Sequence, residues 1–353
     1  MHDQNKVQVS IVIACRNEIQ HLAPFLESVL AQDLDKVWEA IVADGLSDDG
    51  TWEALREYAA ENSRLRVIRN PGRIVSTGLN AAIRAASGAI IIRMDAHTIY
   101  DPSYCSQCLV ELERTGADNV GGPIRTHAVG SRARAIEAAY QSRFSTGNGI
   151  SRDVNYEGWV DVVVYGCWRK VTLEQVGLFD ETLVRNQDDE LSFRLVRAGG
   201  KLWQSPSIVS FYSTRSSFSQ LMRQYFQYGF WKVAVIRKHR LPASWRHVVP
   251  ILFIALNILL IASLSICALL GAMQLARILA VASMIQLAGY ISLNLLASLS
   301  AAHRHGWATF LWLPVAFATM HWGWGLGFLA GTFRLFAHPS SVVTDSAVTK
   351  LSR

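Results

Sequence analysis

The chain has 353 residues, of which 28 are acidic and 34 basic, with a net charge of +6 and half of all residues hydrophobic. That total hides two unlike halves. Up to Glu190 there are 27 acidic and 19 basic residues, a net of −8; from Leu191 onward there are 15 basic residues and a single acid, Asp345, a net of +14. A basic half points to nucleic acid or to an anionic membrane surface, and the long apolar runs within it favour the membrane over nucleic acid.

Met1 to Lys6 is polar and carries no secretory signal. Val7–Glu18 reads as a strand ending in polar residues, followed by a helix over His21–Gln32. Trp38–Asp44 is a second strand. Its loop, Asp44–Thr51, is rich in turn and N-cap formers and feeds a helix over Trp52–Asn62. Leu65–Arg69 is a third strand, Asn70–Arg73 a turn, and Thr77–Ser87 a helix with Leu79, Ala82, Ile83 and Ala86 on one face. Gly88 then opens the run Ala89-Ile-Ile-Ile-Arg-Met-Asp95-Ala-His97, a fourth strand apolar enough to be buried on both faces.

Strand and helix alternating over the first hundred residues predict a doubly wound α/β sheet. Neither G-x-G-x-x-G after the first strand nor a P-loop is present, which disfavours a dinucleotide dehydrogenase and a P-loop enzyme. Instead three strands end in acids, Glu18, Asp44 and Asp95. Acidic strand ends suit a nucleotide bridged by a divalent cation better than a bare one, and Asp95 with His97 is a two-point grip on such a cation.

Beyond Tyr100 the pattern gives a helix to Asp118, a short strand at Val120–Ile124, and an irregular stretch from Ser131 to Gly158. That stretch holds a helix at Arg134–Phe144 and a glycine-punctuated flap from Ser145 to Gly149. Val160–Gly166 reads as a strand and Arg169–Val176 as a short helix. Asp188, Asp189 and Glu190 then crowd the start of a helix running to Gly199. Charge at a helix N-terminus is worth only about 0.3–1 kcal/mol; mutual repulsion can also push one of these carboxyls toward a proton-accepting role. The five cysteines (Cys15, Cys105, Cys108, Cys167, Cys267) are scattered, and Cys105-x-x-Cys108 has no second pair, so a metal or redox role is not expected.

Val9–Glu18, Asp44–Thr51, Asn80, Asp95-Ala-His97, Gly166, Gly177-x-Phe179-Asp180-Glu181 and Asp188-x-Glu190-Leu-x-x-Arg194 follow in the order seen in family 2 glycosyltransferases. The chain resembles that family from about residue 7 to 240, and within it the branch that builds succinoglycan-type exopolysaccharides and also reads Asp-Ala-His. The resemblance implies the GT-A (nucleotide-diphospho-sugar transferase) fold. It implies UDP-sugar contacts from Ala14, Arg16, Glu18, Asp44, Arg73, Asn80 and Asp95, with Asp44 on the uracil. It further implies a divalent cation, Mg²⁺ or Mn²⁺, on Asp95 and His97, acceptor contacts from Gly166 and Arg194, and a general base at Asp188 with Asp189 as the substitute. Three positions depart from the pattern: Ala14 and Arg16 replace the usual Pro and Tyr, Gln187 replaces the Glu before the base, and His97 replaces an Asp.

The second half divides into a basic, aromatic segment at 215–247 and apolar spans at 248–271, 278–299 and 307–333, with a tail at 338–353. The catalytic domain is 1–214. Phe218, Tyr225, Phe226, Tyr228, Phe230 and Trp231 alternate with Arg223, Lys232, Arg237, Lys238, Arg240 and Arg246, the pattern of an interfacial helix. Each span is about the 20 residues that cross a bilayer. Gly323, Gly327 and Gly331 form a small-residue ridge on which another helix can pack, and His321 is expected in an interhelical hydrogen bond. The expected protein is thus a multi-pass enzyme of the bacterial inner membrane with a cytoplasmic catalytic domain. Its partners would be a UDP-sugar, a polyprenyl-diphosphate-linked saccharide, membrane lipids and other subunits of a biosynthetic complex, without nucleic acid. A different lipid acceptor, such as a glycolipid or hopanoid, and a non-catalytic assembly subunit are the alternatives.

Overall fold

A computed structural model describes residues 7–126, 128–147, 150–212, 217–240 and 248–337. The N-terminal hexapeptide, Asn148 and Gly149 of the flap, Arg246 and the tail 338–353 lie outside the described residues. The chain forms two compact units, 1–127 with 150–213, and 128–149 with 214–353. The boundary expected near 214 therefore misses one exchange: the segment 128–149 packs with the second unit.

In the first unit β1 (Val9–Cys15), β2 (Trp38–Asp44), β3 (Leu65–Arg69) and β4 (Ile90–Asp95) are parallel, with α1 (Ile19–Leu30), α2 (Thr51–Glu61) and α3 (Val75–Ala85) between them. Period-2 alternation sends Ile11, Ile13, Ala40, Val42, Ile92 and Met94 to one face and Val12, Ile41, Ala43 and Ile91 to the other, and both faces are covered. The first face packs on α1, α2 and α4 (Tyr104–Thr115). The second packs on α3, α7 (Lys170–Val176) and α8 (Gln187–Arg197). Gly88 lets β4 enter beside β1: a Cβ there would stand 2.7 Å from the Ser10 nitrogen.

The sheet is mixed rather than wholly parallel. Its order is β3-β2-β1-β4-β9-β6-β10-β8, and β9 (Cys167–Arg169) runs antiparallel to both β4 and β6 (Asn119–Gly121). β10 is Leu202–Gln204 and β8 is Gly158–Val160. A separate three-stranded sheet joins β5 (Thr98–Tyr100), β11 (Ser210–Tyr212) and β7 (Ile124–Thr126). The strand expected over 160–166 is instead a bent loop, because Tyr165 (φ 63°) and Gly166 (φ 99°) are left-handed and cannot extend a ladder.

The second unit contains α5 (Ser131–Gln141), α6 (Arg143–Thr146), α9 (Phe218–His239), α10 (Val249–Leu269), α11 (Met273–His305) and α12 (Leu313–Ala337). Among the described residues two helices, α10 and α11, are long and apolar enough to cross a membrane, with mean hydropathies of 2.6 and 1.7. The rest of the chain covers little of either, and Leu252, Leu259, Ile285 and Leu296 stand exposed. The third expected span, α12, does not qualify. Glycines, His321 and Thr319 dilute its apolar character, and it is packed lengthwise against α9 instead.

The helix expected at the membrane interface, α9, has a partner in α12. The glycine ridge explains the pairing: Gly323 lies over Met222, Gly327 over Phe226 and Gly331 over Phe230. Each step is four residues along both helices, so the two run parallel. Gly229 of α9 answers from the other side, where a Cβ would come within 2.1 Å of the Trp324 carbonyl oxygen. Trp231 and Lys232 of the basic belt are consequently buried. His321 accepts or donates to the Tyr290 hydroxyl of α11 at 3.1 Å through Nδ1, and its Nε2 meets the Phe144 carbonyl of α6 at 3.0 Å, an interhelical bond as expected.

A methyl group tests this seam. A Cβ on Gly327 would stand 2.0 Å from the backbone oxygen of Phe226, whereas one on Gly289 of α11 would meet nothing within 4 Å. Gly327→Ala should destabilise the second unit by about 1–3 kcal/mol and lower its melting temperature in detergent, while Gly289→Ala leaves that temperature unchanged or raised.

Candidate active site

Between β1 and β4 the strand order reverses, and in open α/β sheets ligands sit at the carboxyl ends of the strands at such a switch point. Register places the acids on either side of β1: Asp44 opposite Cys15, and Asp95 opposite Ala14. The loops after β1 and β2 are stitched together. Asn17 and Asp48 exchange hydrogen bonds of 2.8 and 3.0 Å, the Glu18 amide donates to Thr51 Oγ1 at 2.9 Å, and the Ile19 amide to Asp49 at 3.3 Å. Asp48 and Asp49 are thus loop and cap residues.

The expected site residues separate into three groups. Asp95 and Asp188 come together on Arg93, a residue the sequence reading passed over. Arg93 precedes Asp95 by two positions on β4 and shares its face; it is 2 % exposed. Its Nε and Nη2 donate to the two Asp95 oxygens at 3.0 and 3.1 Å, and its Nη1 donates to Asp188 at the start of α8. An arginine inside an apolar strand was the signal available in the sequence, because such a charge is buried only when paired. Burial pushes the Asp188 carboxyl up from the ordinary aspartate range; Arg93 opposes this, and Asp95 and Asp189 reinforce it.

Glu18 and His97 form the second group. The His97 Nδ1 lies 3.6 Å from a Glu18 carboxylate oxygen, and the ring packs edge-on to Tyr212. Ala14 and Arg16 border the same strand end. Arg16 lies against Gly45, and its buried Nε has no hydrogen-bond partner; Gln187 likewise buries an unpartnered Oε1. Both orphans fall where the chain departs from the family pattern. Arg73 takes a left-handed φ of 62° in the turn before α3.

In the third group, expected ligand contacts are engaged within the fold. Asn80 donates to the Phe179 carbonyl at 2.8 Å and to Glu181 at 2.9 Å and accepts from the Phe179 amide, so it clamps the 177–181 loop. Asp44 is fully buried, held by the Ser47 amide at 3.2 Å and by Arg69 at 2.8 Å. Arg194, expected at the acceptor, is occupied by Glu190 (2.9 Å to each oxygen) and by the Val176 and Leu178 carbonyls. Gly166 is required by packing: a Cβ would come within 2.5 Å of the Trp168 ring.

For a cation, the donors available at the strand end are the Asp95 carboxylate and the His97 imidazole. Among the described residues no group of three or more His, Cys, Asp or Glu is gathered tightly enough to hold one. Both Asp95 oxygens already accept from Arg93 and the His97 Nδ1 lies toward Glu18, so a cation held there would compete with the Arg93 fork for Asp95.

The mixed sheet, parallel over β1 to β4 with carboxylates at its switch point, is a GT-A-like α/β fold. The sequence profile described as glycosyl transferase family 2 matches residues 10–168. The succinoglycan biosynthesis protein ExoA of Rhizobium meliloti (strain 1021) is 31 % identical over 243 residues, covering 68 % of this chain and 74 % of that protein. A dolichyl N-acetyl-alpha-D-glucosaminyl phosphate 3-beta-D-2,3-diacetamido-2,3-dideoxy-beta-D-glucuronosyltransferase of Methanococcus voltae is 28 % identical over 262 residues, covering 71 % and 81 %. Among solved structures, S. aureus TarS 1–349 in complex with UDP aligns over 93 % of this chain and 92 % of its own, with 13 % identity and a TM-score of 0.46. The chain belongs to glycosyltransferase family 2, and it is a transferase with relatives in exopolysaccharide and lipid-linked glycan synthesis.

The clamp assigned to Arg194 has a measurable consequence. Glu190 is wholly buried, and removing one partner of a buried ion pair costs about 3–5 kcal/mol. Arg194→Ala should therefore lower thermal stability by that order. A variant of unchanged stability that loses only acceptor affinity would restore Arg194 to the acceptor.

Proposed function

We propose that the protein is a membrane-anchored inverting glycosyltransferase that moves a sugar, glucose in our reading, from a UDP-sugar to a lipid-linked saccharide during exopolysaccharide or other cell-surface glycan synthesis. The observation that carries this is the meeting of Asp95, at the end of β4, with Asp188, at the start of α8, across one guanidinium. It brings the donor-side carboxylate and a proton acceptor to one strand end. The names of the two relatives supply the rest: one belongs to succinoglycan synthesis, the other to transfer onto a dolichyl-linked sugar.

In this reading Asp188 accepts the proton of the acceptor hydroxyl as its oxygen attacks the anomeric carbon from the face opposite the diphosphate. One displacement inverts the centre, so a UDP-α-sugar gives a β linkage. Of the neighbouring acids, Glu190 is held by Arg194, which leaves Asp188 and Asp189 as the candidates. Asp95 and His97 would hold a divalent cation, which when bound supplies positive charge against the leaving diphosphate. Glu18, beside His97, orients that ring.

The test is release of UDP from UDP-glucose by membranes containing the protein with Mn²⁺. Activity should require the cation and disappear on chelation. Asp188→Asn should lose roughly 10²–10⁴ in turnover, and Asp189→Asn far less; a reversed order would move the base to Asp189, and no donor turnover with any UDP-sugar would overturn the reading.

The anchor follows from the two apolar helices. We place α10 and α11 across the inner membrane as a hairpin, with α12 paired on α9 rather than crossing. The cationic end of α9 (Arg237, Lys238, Arg240) stays cytoplasmic by the positive-inside tendency, as does the catalytic unit. Two crossings return the chain to its starting side, so a reporter fused after Ala337 should be active in the cytoplasm. A fusion active only in the periplasm would restore a third crossing by α12.

A further inference from the structure

We propose that Arg93 is a positioning residue, anchored on Asp95 by two hydrogen bonds and using its remaining guanidinium nitrogen to set where the Asp188 carboxylate stands. This rests on the reading of Asp188 as the base. Several independent features converge on it. Arg93 is among the largest fully buried side chains of the protein, although a lone charge at that depth would be strongly disfavoured. Its backbone is fixed by a 3.0 Å bond from its amide to the Gly166 carbonyl, at the glycine that admits no side chain. Its guanidinium lies 5.8 Å from the Tyr165 ring centre and 5.7 Å from that of Phe179, so packing also holds its plane. Tyr165 is itself tied to Thr98 at 2.7 Å.

The geometry of the fork is the argument. Nε and Nη2 meet both oxygens of Asp95, which fixes the guanidinium plane relative to the end of β4. Nη1, the nitrogen that Asp95 leaves unused, donates to Asp188. The base is the first acid of α8, whose own N-cap, Asn186, is left-handed (φ 61°) and makes no side-chain cap. The start of that helix thus lacks a local side-chain cap to orient Asp188, and the long-range contact to β4 supplies the orientation. An ammonium could reach either carboxylate but could not hold three bonds in one plane.

The experiment is a double-mutant cycle on the full chain in membranes or detergent. It measures kcat and KM for the UDP-sugar, with UDP affinity by calorimetry as a check that the donor site is intact. Arg93→Met should lower kcat by about 10–100-fold, the scale of a misplaced reacting group, with KM and UDP affinity within about threefold. Arg93→Lys should fall between the two. In an Asp188→Asn background, Arg93→Met should cost no more than about threefold further, because the residue it acts through is gone. Losses that multiply in the double variant, or a raised KM at unchanged kcat, would overturn the proposal. If Arg93→Met loses UDP binding, Arg93→Lys, which keeps charge and length, carries the same cycle. An Asp188→Asn variant of full activity would sink the base reading and this inference with it, whereas an inactive Asp188→Asn with multiplicative losses sinks the inference alone.

Discussion

Carboxylates collected at the carboxyl ends of neighbouring strands repel one another and lose hydration together, and the first unit is built around that problem. The solution is one guanidinium for each buried acid or pair of acids. At the strand ends Asp44 has Arg69, and Asp95 shares Arg93 with Asp188; elsewhere in the unit Glu39, near the amino end of β2, has Arg66, and Glu190 in α8 has Arg194. The arginines come from β3, β4 and α8; Arg66, Arg69 and Arg93 each tie two elements together, whereas Arg194 pairs within its own helix. Burying such pairs adds little net stability over apolar packing, but breaking one leaves an uncompensated charge. The arrangement therefore specifies a geometry more than it stabilises a fold.

Around this charged floor the loops are held in conformations that ordinary residues seldom adopt. Asn17, Leu46, Arg73, Tyr165, Leu178 and Asn186 all have φ between 54° and 63°. They sit after β1, β2 and β3, before β9, after α7 and at the start of α8. Positive φ at non-glycine positions is retained where surrounding structure over-determines it, commonly beside a functional site. Here the over-determination is visible in the hydrogen bonds that cross between segments: Asn17 donates to Asp48, and Asp49, Thr51 and Asn80 accept from the Ile19, Glu18 and Phe179 amides.

The second unit solves a different problem. α10 and α11 present aliphatic side chains outward with little cover, as helices in lipid do. α9 and α12 instead approach so closely that their glycines rest on the partner's carbonyl oxygens. Close approach of this kind gains dispersion contacts along the whole seam and needs no apolar solvent to drive it. The long helices thus take two different roles: α10 and α11 by their aliphatic surfaces, α9 and α12 by the glycines that let them approach.

Much of this was legible from the residues. The β1–α3 alternation, the limits of β2 and β3, the acidic strand ends and the glycine ridge all follow from local periodicity and residue type, which act over a few neighbours and survive in the linear pattern. Asp95 was legible as a strand-end acid for the same reason, whereas Asp188 was singled out of its acidic run by the resemblance to the family. What the sequence left open was pairing over distance. Whether Asn80 and Arg194 face a ligand or clamp a loop depends on which carbonyls lie beside them, and those carbonyls are about 100 residues away for Asn80. The antiparallel insertion of β9, the exchange of segment 128–149 into the second unit and the pairing of α12 with α9 are likewise decided by contacts between segments far apart in the chain. Arg93 is the clearest instance. In the chain it is an isolated cation in a strand of isoleucines, and only the tertiary structure, by delivering Asp188 from a helix 95 residues downstream, makes it the link between two carboxylates.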